Sequence, residues 1–167
     1  MNLLQIYNLF LAGTCRTLQS LGAIQIGKKD KEAFRLVLNK SFMFITISML
    51  STCLLISLFP GIITRVFGSS EPSILAESNH VLRIFAVSFI PFCYIYFIMI
   101  VYKLYQQDQM ALFISFALSL TVIPVLWVIS HFAPGLTWYS YLIAYLLEII
   151  MIVSLHKMTR AKFQLAD

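Results

Sequence analysis

Long charge-free runs of apolar residues are the feature of this chain that most restricts its fold. Residues 41–64, 84–102 and 109–130 contain no charged side chain, and residues 138–155 contain only Glu148. A helix that crosses a membrane needs about 20 predominantly apolar residues, and these runs approach or exceed that length. Because backbone groups in lipid must satisfy their hydrogen bonds within the segment, such runs form helices. The sequence therefore predicts an all-α integral membrane protein.

A fifth span is predicted near the N-terminus, where polar residues interrupt an apolar segment. On a helical wheel the polar residues Gln5, Asn8, Arg16 and Gln19 share, with Ala12 and Cys15, a sector about 120° wide at roughly 100° per residue. This polar stripe is expected to line a substrate cavity; alternatively, Arg16 snorkels to the interface or the stripe holds helices together through polar contacts. The five predicted spans are residues 2–26, 41–60, 82–104, 109–130 and 138–156.

The distribution of Lys and Arg predicts how these spans are oriented. Cytoplasmic loops carry the excess of basic residues. With the C-terminus inside, nine basic residues lie in the inner segments 27–40, 103–108 and 157–167, and only Arg65 and Arg83 lie outside. We therefore expect a multi-pass protein of the cell (inner) membrane, with its N-terminus outside, a cytoplasmic loop at 27–40 and a cytoplasmic tail at 157–167. The outer segment 61–80 is expected to contain a short interfacial helix.

Composition excludes several other classes of protein. Only 11% of residues are charged, against about 25% in soluble domains. The aromatic residues lie inside apolar runs, so we expect no nucleic-acid partner. Cys15, Cys53 and Cys93 lack metal-ligand spacing and are predicted to be buried free thiols. We find no enzyme motif and expect neither catalytic residues nor a metal site.

Two further groups of residues are candidates for function. Tyr94 and Tyr96 belong to an aromatic segment of the third span that suits either an adaptable apolar binding site or packing against lipid. Glu148 is the acid deep within a predicted span, where an isolated charge costs several kcal/mol unless it is paired, hydrated or protonated. It is either a proton- or cation-linked carboxylate or a structural acid that stays neutral or pairs with a neighbouring helix.

A set of short motifs occurs along the chain in a fixed order. Together they resemble the multidrug and toxic compound extrusion (MATE) family, over residues 18–157. The matching residues are Leu21-Gly22-Ala23, Gly27-Lys28-Lys29-Asp30-Lys31-Glu32-Ala33, Leu58-Phe59-Pro60, Phe67-Gly68, Leu82-Arg83-Ile84-Phe85, Ser88-Phe89, Leu112, Ser115, Pro124 and Glu148.

The resemblance implies a fold and an activity. Members of the family have twelve helices in two lobes, and the five predicted here resemble helices eight to twelve. The implied function is export of amphipathic, cationic compounds in exchange for Na⁺ or H⁺, with no other cofactor. Alternating access requires two lobes rocking around a midplane site, so we expect the chain to need the remaining helices as a partner and not to transport alone. Its other expected partners are the lipid bilayer and an amphipathic small-molecule substrate.

Other functions stay open at this point. The third span contains no Asp or Glu, whereas many bacterial members of the family carry a cation-linked acid there. One alternative is therefore a membrane remnant or interaction protein that does not transport. Another is a lipid-linked oligosaccharide flippase of the same superfamily, which should have more basic residues in its cavity than Arg16.

Overall fold

The computed structural model describes the backbone of residues 2–62 and 72–164, and side chains at position 9 and within 11–62 and 77–155. These ranges contain helices and no strand. The helices are α1 (Asn2–Gly27), α2 (Lys31–Leu58), α3 (Pro72–Leu104), α4 (Asp108–Phe132) and α5 (Ser140–Gln164), with a 3₁₀ helix at Pro134–Tyr139 before α5. Most of the expected interfacial helix, including Val66 and Phe67, lies outside the described residues.

The predicted all-α membrane fold is confirmed, but the predicted count of five spans is not exact. Within the described residues, four segments are long and apolar enough to cross a membrane: Lys31–Leu58, Glu77–Leu104, Asp108–Phe132 and Pro134–Leu155. The helix α1 forms as predicted but is not among them, because Gln5, Asn8, Arg16 and Gln19 dilute its apolar residues. Pro91 and Pro124 lie inside α3 and α4, which continue through them.

The charge cluster expected to be a loop over 27–40 is largely helical. Only Lys28–Asp30 separate α1 from α2, and Asp30 Oδ1 accepts a hydrogen bond from the backbone N–H of Ala33 at 2.9 Å. A short acidic side chain at this position satisfies an N–H that has no partner inside the helix. The charged residues 31–40 therefore extend α2 beyond its apolar segment.

The turns after α1 and after α3 close in the same way. Lys29 N–H donates to Ile26 O and Asp30 N–H to Gln25 O. In the second turn Gln106 N–H donates to Lys103 O and Gln107 N–H to Tyr102 O in the same pattern. This is the Schellman motif, whose last helical turn is followed by a left-handed residue. That residue is Lys29, with φ 57°, in the first turn and Gln106, with φ 58°, in the second. Because α1 and α3 are separated by one antiparallel helix, both turns lie at the same end of the bundle, which we call the charged end.

The helix α3 is the centre of the bundle, since it contacts each of the other four described helices. Helices α1 and α2 pack together on one part of its surface, and α4 and α5 pack together on another. The larger cluster of buried residues joins α1, α2 and α3, and the smaller one joins Ile95, Ile114 and Ile152 of the last three helices.

Close packing near the charged end depends on Gly22 of α1. A Cβ added there would lie 3.0 Å from Leu104 Cδ1 and 3.3 Å from Phe34 Cε2. A small residue at such a crossing lets membrane helices approach closely. Cys15, Cys53 and Cys93 are buried free thiols, as predicted.

Candidate functional site

The polar stripe of α1 lies beside its packing face. Leu11, Cys15 and Leu18 are at most 6% exposed and belong to the cluster shared with α2 and α3. Gln19 is partly exposed and Arg16 is exposed. The side chains of Gln5 and Asn8 lie outside the described residues.

Helix α2 lies beside the opposite flank of α1 and forms an open groove with it. Thr14, Thr17 and Leu21 line a groove with residues 36–47 of α2. On the helical wheel of α1 these three residues lie on one side of the packing face, and the polar stripe lies on the other side. Arg16 and Gln19 therefore lie on the side of the α1–α3 pair that α2 leaves uncovered. A guanidinium against lipid is costly, so this side requires water or further protein.

The two tyrosines predicted as site residues point to different sides of α3. Side chains two residues apart in a helix point in directions that differ by about 200°, at roughly 100° per residue. Tyr94 packs against α2, where its hydroxyl is 3.4 Å from Thr46 Oγ1 and its ring centre is 5.6 Å from that of Phe42. Tyr94 therefore packs against α2, with a partner that the sequence alone did not indicate.

Tyr96 instead lies on the side of α3 that faces away from α2. On the wheel Phe89 and Tyr96 fall between Cys93, which packs in the cluster with α1, and Phe92, whose ring centre is 5.4 Å from that of Tyr145 in α5. Both are partly exposed. The side chains of Arg16, Gln19, Phe89 and Tyr96 thus border one surface, which we call the α1–α3 face.

Aromatic rings continue from this face towards the other end of the bundle. Ring centres are 6.4 Å apart for Tyr96 and Phe92, 6.4 Å for Tyr145 and Tyr141, and 5.3 Å for Tyr141 and Phe85. Such offset or tilted aromatic pairs are favourable beyond their buried area. The spacing of Tyr141 and Tyr145, one helical turn apart, was the available sequence signal for this contact.

Glu148 lies one turn from Tyr145 but is not on the α1–α3 face. It belongs to a buried stripe of α5 that repeats every four residues: Ser140, Ala144, Glu148 and Ile152 are 0%, 1%, 1% and 4% exposed. Neither carboxyl oxygen has a hydrogen-bond partner among the described residues. Burying an ionised carboxylate without partners is strongly unfavourable, so the group must be neutral or must bind a cation or water.

The described residues offer no other cluster suited to a metal. Within them, no group of three or more His, Cys, Asp or Glu side chains could hold a metal ion. What the arrangement provides is an open polar and aromatic surface on α1 and α3, with a buried acid behind the aromatic contacts.

These features define a multi-pass membrane protein with one helix face suited to water or to further protein. A family model described as MatE matches residues 1–131, from α1 to the end of α4. The chain therefore belongs to the MATE family, the transporters that its motifs resemble. The match ends before Glu148. Comparison with curated proteins and with solved structures finds no match to this chain.

Proposed function

We propose that the chain forms part of the translocating bundle of a secondary active exporter of amphipathic compounds. The observation that supports this most directly is the α1–α3 face, which sets polar side chains of one helix beside partly exposed aromatic rings of another. Small-molecule sites combine apolar and aromatic walls with a few polar groups. The membership of the chain in a family of transporters supports the same proposal.

Binding of ethidium, an amphipathic aromatic cation, tests this role of the α1–α3 face. Fluorescence anisotropy with the purified chain should give a saturable signal that Tyr96→Leu weakens about fivefold, the equivalent of roughly 1 kcal/mol for a ring stacked on a cation. Tyr94→Leu is the matched control, because Tyr94 packs against Phe42 and Thr46 instead. Equal affinity of the Tyr96 variant and the wild type would contradict the proposal.

We also propose that five helices supply only one wall of the pathway, so that transport requires further helices. Alternating access depends on one bundle moving against another around a shared site. Expression of this chain alone in cells that lack other exporters should therefore leave their sensitivity to ethidium unchanged. A clear rise in resistance would show that the chain transports without a partner.

Glu148 is the residue that we propose to couple this exchange to Na⁺ or H⁺. Its burial and its unpartnered carboxyl oxygens suit a group that takes up and releases a cation during the cycle. Adding Na⁺ or acid should displace bound ethidium from the wild type but not from Glu148→Gln. Displacement that is the same in both proteins would assign Glu148 a structural role.

The proposed orientation places the charged end of the bundle in the cytoplasm. In intact cells, a membrane-impermeant maleimide should not label a single cysteine placed at Lys28, whereas one placed at Gly135 should react. The opposite labelling pattern would reverse the orientation.

A further inference from the structure

A cavity of about 650 Å³ opens at the charged end of the bundle, where α1, α2 and α3 meet. It is separate from the α1–α3 face and shares none of the residues that define that face. Its size lies within the range of about 300–1,000 Å³ that is usual for small-molecule sites. Its walls come from the end of α1, the turn at Lys28–Asp30, the first turns of α2 and Tyr105.

The rim of this cavity is strongly basic. Lys29, Lys31 and Arg35 line it, against one acid, Asp30. The Asp30 carboxylate already accepts the backbone N–H of Ala33, so it is engaged by the start of α2. The charge at the opening therefore suits an anionic group.

The floor of the cavity is apolar. Phe34 is 7% exposed, and Tyr105 contacts it edge-on with ring centres 5.6 Å apart. Ile26 and Leu38 also line the cavity and are partly buried. An inorganic anion would leave this surface unused, whereas an amphipathic anion would cover it.

The depth of the cavity matches the polar surface of a bilayer. The charge-free segment of α2 begins at Ser41, and Arg35 precedes it by roughly 9 Å along the axis at about 1.5 Å per residue. The headgroup layer on each side of a bilayer is about 5–8 Å thick, from a total of about 40–45 Å around a core of about 30 Å. Arg35 therefore lies at the outer edge of the headgroup layer, with Leu38 inside that layer and Lys31 further out.

We propose that this cavity binds an anionic phospholipid, with the headgroup phosphate at Lys29, Lys31 and Arg35 and the upper acyl chain against Leu38. Basic pockets between membrane helices recognise anionic headgroups in this way. The bound lipid would join the ends of three helices at the charged end of the bundle.

Native mass spectrometry of the purified chain tests the proposal, with phosphatidylglycerol and phosphatidylcholine of identical acyl chains as probes. Phosphatidylglycerol should bind more tightly, and Lys31→Gln and Arg35→Gln should each weaken it about fivefold, the effect of losing one basic residue near the surface. Lys28→Gln is the matched control, because Lys28 is exposed in the same turn but does not line the cavity.

Three results would overturn the assignment. The first is equal affinity for the two lipids. The second is a loss of phosphatidylglycerol affinity in Lys28→Gln as large as that in Arg35→Gln, which would indicate attraction by the overall charge. The third is displacement of phosphatidylglycerol by millimolar inorganic phosphate, which would make the site one for a free anion. Melting temperatures of the three variants should match that of the wild type in lipid-free detergent, because these exposed side chains do not support the fold.

Discussion

Replacement of Glu148 by leucine should stabilise this protein. Glu148 is 1% exposed, and both of its carboxyl oxygens lack hydrogen-bond partners among the described residues. A buried polar group without a partner costs about 1–3 kcal/mol, and leucine removes that cost while filling a similar volume. For a chain of this size, 1 kcal/mol corresponds to about 2–4 °C in melting temperature. Glu148→Leu should therefore melt at least about 2 °C above the wild type.

The three buried thiols provide the assay for this prediction. Cys15, Cys53 and Cys93 are free and buried, so a thiol-reactive fluorescent maleimide should report their exposure as the purified protein unfolds on heating. Ser88→Ala is the control, because Ser88 is fully buried but its hydroxyl donates to Ile84 O at 2.8 Å. Loss of a satisfied hydroxyl should leave the melting temperature equal or slightly lower.

The melting temperature of Glu148→Gln tests whether the Glu148 carboxyl is protonated. A glutamine side chain resembles a protonated carboxyl in size and charge, so an unchanged melting temperature would indicate that Glu148 is protonated in the resting protein. A fall of several degrees in Glu148→Leu, with little change in Ser88→Ala, would refute the reasoning, because it would mean that the carboxyl stabilises the fold through a partner.

Two further predictions concern backbone positions and use the same melting assay. Gly22→Leu should lower the melting temperature, because even its Cβ would lie 3.0 Å from Leu104 Cδ1 and overpacking costs about 1–3 kcal/mol. The control is Gly13→Leu, which should not lower it, because nothing lies within 4 Å of the added Cβ. Equal losses of melting temperature in the two variants would contradict the close packing at Gly22. Lys29→Gly and Gln106→Gly should each raise stability by about 0.5–1 kcal/mol, because both residues adopt left-handed φ values that glycine adopts without steric cost. Destabilisation in both variants would show that the two turns differ from the Schellman geometry.

The charge-free runs predicted the helices well but not their ends. Lipid leaves a spanning segment no alternative to the helix, so α2 to α5 follow from composition alone. The first ten residues of α2 were expected to be a loop because they are charged. Charge does not end a helix, however, and Asp30 followed by an acidic Glu32 in the first turn is a start signal present in the sequence.

The candidate site was only partly accessible from the sequence. A helical wheel groups Arg16 with Gln19 on α1 and places Tyr94 and Tyr96 on different sides of the third span. The burial of Glu148 could not be predicted in this way. It depends on which side of α5 packs against α3 and α4. That side, which includes the small residues Ser140 and Ala144, is defined only when the helices are packed together.

The paired turns at the charged end also determine how the bundle can deform. Each links two antiparallel helices through three residues, so the helix ends that they join cannot separate by more than a few ångströms. Helix α2 has 28 residues and therefore extends roughly 42 Å from its turn at about 1.5 Å per residue. A tilt of only about 5° around that turn would move its far end by roughly 4 Å. Both turns lie at the same end of the bundle, so a change in packing among Lys29, Phe34 and Tyr105 that tilted α2 would displace its far end more than its turn.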